Sequence, residues 1–264
     1  VTGPLLAIDT ATRRASVAIG NGRGAPSAAR TWLAGYRHGE ELLTVLDGLL
    51  GQAGVALADL SAVAVGTGPG AFTGLRVGLA TAKGLAYGLD IPILGISTTA
   101  ALAVAGVGTG DGEREVAVLL PAGPHDRYLA RYRLGEAGGP AGPGASRPEG
   151  AAPGLLASAP RQVVCPAPLE GPELVPGSDP LAERVADAWL VAVDLVAGPD
   201  VPAAAVERGL RAQEGLGAAL LALGRLALEA GEVADVAALV PAYVTLPRGI
   251  AEQTGGIEWS RDLR

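Results

Sequence analysis

The chain has 264 residues, 49% of them hydrophobic but only 3% aromatic, and a formal net charge of −7. That length holds two modest lobes or one large α/β domain without staples. Cys165 is the one cysteine, which excludes an intramolecular disulfide and a thiolate zinc cluster within the chain. Scattered basic residues in an acidic chain argue against a protein that grips nucleic acid unaided, so any RNA contact is expected to depend on a partner.

The elements follow in chain order. The apolar run Leu5–Asp9 and a second β-like run at 15–20 predict a hairpin, and a third strand is expected at 28–33 after the Asn21-Gly22 turn. From Glu40, the spacing of Leu42, Val45, Leu46, Leu49, Leu50 and Ala53 marks one apolar face of a helix. A buried strand at 62–66 leads through the turn Gly66-Thr67-Gly68-Pro69-Gly70 into a helix ending near Gly88. A strand at 93–96 and a helix at 100–105, capped by Ser97 and Thr98, complete an α/β order βββαβαβα.

Residues 106–112 turn to Gly, Thr and Asp and predict a hinge, which sets an N-terminal lobe at 1–106 and a divergent C-terminal lobe at 107–264. In the second lobe, 115–120 and 127–134 predict paired strands. Residues 135–160, rich in Gly, Pro and Ala, are expected to be a mobile insertion. Leu216, Leu220, Leu223 and Ala227 share a helical face, and 241–246 suit a last strand or extended segment. No run reaches eighteen apolar residues and Leu5–Ile8 is soon interrupted by Asp9, Arg13 and Arg14, so neither a membrane span nor a signal peptide is expected, and a cytoplasmic location is.

Candidate chemistry is sparse. The glycine-rich turn lies between strand and helix, where amides can cradle a phosphate, but Gly74 is followed by Leu75-Arg76 rather than by the Lys-Ser or Lys-Thr of a P-loop. The preceding meander argues against a dinucleotide fold. Gly70, Gly74, Gly78 and Ala82 lie four apart and form a smooth helical stripe, suited equally to internal packing or to a helix of another subunit. Phe72, the sole phenylalanine, starts that helix. Asp9, ending a buried strand, needs a partner or water, and Thr10, Thr12 and Ser16 stand beside it. His38 and His125 offer no paired metal motif, Cys165 sits in an apolar context suited to an inert thiol, and no G-x-S-x-G elbow exists.

The segment LLAIDTATRRASVAIG, then His38 with its helix, then the block Gly68-Pro-Gly-Ala-Phe-Thr-Gly-Leu-Arg-Val-Gly78, resembles the TsaB (YeaZ) family over roughly the first 105 residues. A weaker echo returns at 241–251. The resemblance implies an actin-like (ASKHA, ribonuclease H-like) fold of two lobes. It also implies a non-catalytic scaffold or activator of the tRNA threonylcarbamoyladenosine modification complex, paired with a TsaD-like catalytic subunit and a TsaE-like ATPase. On this view the chain carries no cofactor of its own, ATP or ADP and a metal belong to the partner subunits, and tRNA is met only through the complex. The implied partner surface is Gly70, Phe72, Thr73, Gly74, Val77, Gly78 and Ala82, and the implied nucleotide-facing groups are Asp9, Thr10, Thr12 and Gly68. Pro121-Ala122-Gly123 stands where the family usually shows Asp-Ala-Arg. The rival readings are an actin-like ATPase, a glycoprotease-like enzyme, and an autonomous homodimeric binding module.

Overall fold

The run LLAID is apolar at every position but the last, as a strand buried on both faces must be. It forms β1 (Leu5–Asp9), the centre of a five-stranded sheet. A computed structural model describes residues 3–35, 37–107, 114–135, 166–185 and 187–244. β1 pairs antiparallel with β2 (Arg14–Gly20), which pairs with β3 (Ala28–Leu33), so the predicted meander is present. Helix α1 (His38–Ala53) ends on Gly54 in the left-handed region at φ 65°, and parallel strands β4 (Ala62–Gly66) and β5 (Ile93–Ile96) extend the other side of β1. The order is β3-β2-β1-β4-β5, with α2 (Phe72–Leu89) and α3 (Thr98–Val107) as the connecting and following helices.

The second sheet has the order β8-β7-β6-β9, from β6 (Arg114–Pro121), β7 (Arg127–Leu134), β8 (Ala167–Val175) and β9 (Trp189–Ala192). Strands β6 and β7 are the expected hairpin. A short helix α4 (Leu181–Arg184) precedes β9, and a 28-residue helix α5 (Ala203–Ala230) follows it. The expected helical face at 216–227 is thus the second half of a longer helix. The expected hinge begins inside α3, whose last turn contains Gly106 and Val107; residues 108–112 lie outside the described residues, as do 136–160 of the insertion, Cys165 and the side chain of His38. Residues 241–244 form no strand; Ala242 N–H donates to the Thr67 carbonyl at 2.8 Å.

The two faces of the first sheet differ in side-chain size, and this sets the layering. Leu6, Ile8, Val17, Ile19, Val63, Val65 and Ile93 point toward α1 and α2. Ala7, Ala18, Ala62 and Ala64 point to the opposite face with Leu5 and Leu94, and α5 lies there. A Cβ on Gly217 would stand 2.8 Å from that of Ala18, and one on Gly224 2.7 Å from that of Ala64. Helix and sheet therefore approach closely only because both surfaces are small, which accounts for the Ala- and Gly-rich composition. At its other end α5 meets the second sheet, where Gly209 lies against the carbonyl of Ala192. One apolar core of α3, α5 and both sheets joins the lobes. The result is a mixed α/β fold of two sheets packed about α3 and α5. Among the described residues no helix is long and apolar enough to cross a membrane.

Candidate functional site: the cleft between the lobes

Four turns converge where the two sheets end. They are the β1–β2 turn, the glycine-rich turn before α2, the β6–β7 turn, and the segment after β9. With residues 242–244 they line a cavity of about 680 Å³. Its walls are mostly apolar, with Ala11, Phe72, Leu75, Leu120, Pro121 and Val244 among them, and Arg13, Asp126 and Asp194 supply the charge.

Asp9 does not reach this cavity. It is fully buried, its Oδ1 accepts from the Ala11 N–H at 2.8 Å, and its Oδ2 accepts from the Thr98 hydroxyl at 2.7 Å. The Thr98 oxygen in turn accepts from the Gly68 N–H at 3.0 Å. One carboxylate thus ties β1, the glycine-rich turn and the start of α3 together. Burial raises the Asp9 pKa from 3.8 to about 6, opposed by the two hydrogen bonds. Gly66 is required beside it, since a Cβ there would stand 1.8 Å from Oδ2.

Thr10 is turned into the protein as well, its hydroxyl donating to the Gly74 carbonyl at 2.7 Å. Ser16 is buried against Thr31. Of the four expected nucleotide-facing residues, Thr12 lines the cleft, while Asp9, Thr10 and Gly68 do not. Two of the places where a metal–triphosphate ligand was expected to be met offer it no free side-chain oxygen. Asp9 is enclosed and bonded at both oxygens, and Pro121-Ala122-Gly123 contributes no carboxylate or hydroxyl side chain.

The stripe on α2 is corrected from a partner surface to internal packing. A Cβ on Gly78 would lie 2.2 Å from the Thr10 hydroxyl oxygen, and one on Gly70 2.2 Å from the Ala11 carbonyl oxygen. Gly74 and Ala82 are buried too. The reason is the close approach of α2 to the β1–β2 turn, which spacing alone cannot assign to either side of the helix. Thr73 is exposed, Val77 is half-buried, and Phe72 faces the cleft, where Arg76 stacks on its ring at 3.7 Å and donates to the Tyr243 hydroxyl at 3.1 Å. The outward face of α2 carries Thr73, Ala80, Gly84 and Tyr87, the last 83% exposed.

Sequence reasoning passes over Asp194 and Gln213. Asp194 Oδ2 accepts from the Arg13 N–H at 2.7 Å and its Oδ1 from Gln213 Nε2 at 3.0 Å; the same amide donates to Thr12 at 3.1 Å. These bonds latch the first lobe to the second at the cleft floor. The signal is present, because WLVAVD repeats the pattern of LLAID, an apolar strand ending on aspartate. His125 is exposed in the β6–β7 turn. Among the described residues no three His, Cys, Asp or Glu side chains are grouped to hold a metal ion.

Known proteins share this sequence and geometry in part. Residues 32–144 match the family model described as TsaD, tRNA N6-adenosine threonylcarbamoyltransferase. The protein named tRNA threonylcarbamoyladenosine biosynthesis protein TsaB from Escherichia coli K12 is 37% identical over 134 residues, 51% of this chain and 57% of that one. The protein of the same name from Haemophilus influenzae is 40% identical over 115 residues, 44% of this chain and 48% of that one. The chain therefore spans about half the length of the curated relatives it matches. The solved structure of YeaZ from Pseudomonas aeruginosa superposes with a TM-score of 0.60 at 24% identity, covering 91% of this chain and 99% of that one, and shares its fold.

Proposed function

We propose, from the premise that this chain is a member of the TsaB (YeaZ) family by its N-terminal half, that it acts in tRNA threonylcarbamoyladenosine biosynthesis as a non-catalytic subunit beside a TsaD-like transferase. The observation that carries this reading is the outward face of α1 and α2. Ala80 and Thr73 are exposed, a methyl group on Gly84 would meet nothing within 4 Å, and Leu43 and Tyr87 are 59% and 83% exposed. A flat helix pair edged by large apolar groups suits packing against helices of a partner. Thr73 and Val77 keep the role expected of them, whereas Gly74, Gly78 and Ala82 shape α2 from within.

The cleft favours the same division of labour, since the Asp9 carboxylate is enclosed and bonded at both oxygens and Pro121-Ala122-Gly123 brings no carboxylate of its own. ATP or ADP and a metal then belong to the TsaD-like subunit and a TsaE-like ATPase, and the assembly works in the cytoplasm. The match to the transferase family model favours a second reading, in which the chain itself transfers the group. Binding separates the subunit role from an autonomous homodimer. Mixed with the purified TsaD-type transferase of the same organism, the chain is expected to form a heterodimer on size exclusion. Ala80→Arg on the outward face is expected to weaken that complex at least tenfold, about 1.4 kcal/mol. A chain that stays a homodimer in the mixture, or an undiminished complex with Ala80→Arg, refutes this use of the helix face.

A further inference from the structure

Four arginines of this acidic chain sit in ion pairs: Arg23 faces Glu229, Arg37 faces Glu41, Arg131 faces Glu115 and Glu170, and Arg184 faces Glu173. Three others gather around or beside a tryptophan. At the end of the second sheet remote from the cleft, the guanidinium carbons of Arg114 and Arg208 stand 4.4 Å and 4.5 Å from the centre of the Trp189 ring. Arg211 lies one turn further along α5. Among the described residues none of these three arginines has a carboxylate within ion-pair distance.

The cluster is built rather than loose. Trp189 Nε1 donates to the Gly106 carbonyl at 3.3 Å, and Arg208 Nε donates to the Leu190 carbonyl at 2.6 Å. The register of β6 with β9 places Val116 beside Trp189, so Arg114, two residues earlier, falls on the same face. Cation–π contact holds two like charges on one ring. Desolvation first, and the repulsion of Arg211 second, lower the Arg208 pKa, with Glu207 the one carboxylate acting against them. Cations held together with no carboxylate in ion-pair contact gain most from a ligand that brings several negative charges at fixed spacing, and arginine forks match phosphate oxygens.

We propose that Arg114 and Arg208, stacked on Trp189, together with Arg211 one helical turn away, form a binding site for RNA phosphates, through which this chain contributes directly to holding its tRNA substrate. The inference rests on the role in tRNA modification proposed above, and adds that the RNA contact is not confined to the partner. Three phosphate contacts give weak, strongly salt-dependent binding, as suits one patch on a chain of net charge −7.

The test is fluorescence anisotropy of the full chain with a labelled tRNA transcript, comparing wild type with the Arg114→Gln, Arg211→Gln double variant. Arg208 and Trp189 are left intact because they brace β9. Each phosphate contact contributes a slope of about −0.9 in log K against log salt. Between about 50 mM and 200 mM salt, three contacts imply a loss of about 40-fold and one contact about 3.5-fold. The double variant is expected to bind at least tenfold more weakly at the lower salt and to show the shallower slope. Arg30→Gln, an exposed arginine on β3, is expected to leave both unchanged. Equal binding by the double variant overturns the proposal. So does absence of RNA binding at the lower salt, and so does a response of Trp189 fluorescence to inorganic phosphate without RNA binding, which makes the ligand a free anion. Heterodimer formation with the transferase, measured on the same variant, separates failure of this site from failure of the subunit role.

Discussion

Gly78→Ala is the sharpest perturbation of the contact between α2 and the β1–β2 turn. On an exposed helical site the change gains up to about 1 kcal/mol of helix propensity. Here the added methyl falls 2.2 Å from the Thr10 hydroxyl oxygen, whose closest tolerable distance is roughly an ångström longer. Thr10 is 2% exposed and its hydroxyl holds the Gly74 carbonyl, so it can move only by breaking a buried hydrogen bond worth about 1 kcal/mol. Overpacking adds about 1 to 3 kcal/mol. The net expectation is a destabilisation of about 1 to 3 kcal/mol, read as the change in urea midpoint at constant slope. Thermally this is a fall of roughly 3–10 °C for a chain of this size. In a Thr10→Ala background the next nearest atom is Cβ at 3.4 Å, so the same substitution should cost little. Gly84→Ala, with open space around it, should stabilise. If Gly78→Ala stabilises the otherwise wild-type chain, the stripe does not pack inward and the assignment is wrong.

Asp9 gives a pH signature. It ionises near 3.8 unfolded and near about 6 folded, so between those values the folded state keeps a proton that the unfolded state has lost. Stability should therefore fall as pH rises through that window, by about 3 kcal/mol at 1.36 kcal/mol per pKa unit, and flatten above it. Asp9→Asn should remove the slope; an unchanged profile in chemical denaturation from pH 4 to 7 contradicts the assignment. Gln213→Leu strips the latch of its amide and should cost about 1–3 kcal/mol, with faster hydrogen exchange at the Arg13 amide that donates to Asp194. Arg225, 4% exposed, donates to the Asn21 and Gly3 carbonyls. Arg225→Leu should destabilise by a further few kcal/mol, roughly the penalty for orphaning buried acceptors, measured by the same urea titration.

The first lobe is legible because its elements obey simple periods, with β1 apolar up to its final Asp9, β4 without a polar side chain, and α1 repeating at three and four residues. The second lobe is not. Strand β8 reads APLEGPELV and lies at a sheet edge, where two prolines are tolerated and no apolar alternation is needed. Helix α5 buries Gly209, Gln213, Gly217, Gly224 and Arg225 beside its leucines, so its inward face looks broken to any reading that seeks large apolar side chains. The α2 stripe is visible as spacing, but which side of the helix it faces depends on Thr10 and Ala11, some sixty residues away. Asp9 is recognisable in the sequence as a group that needs a partner. That partner, Thr98, belongs to a helix start whose distance from Asp9 no local pattern reports.

The central claim is that this chain serves a transferase without performing the transfer. The direct measurement is threonylcarbamoyl incorporation into unmodified tRNA, quantified by mass spectrometry of the adenosine product, in reactions supplied with threonine, bicarbonate, ATP and the remaining subunits of the same organism. The account predicts no product from this chain without the TsaD-type transferase, little from the transferase without this chain, and full incorporation with both. Product formed by this chain in the absence of the transferase, or an unchanged rate when this chain is omitted, would contradict it.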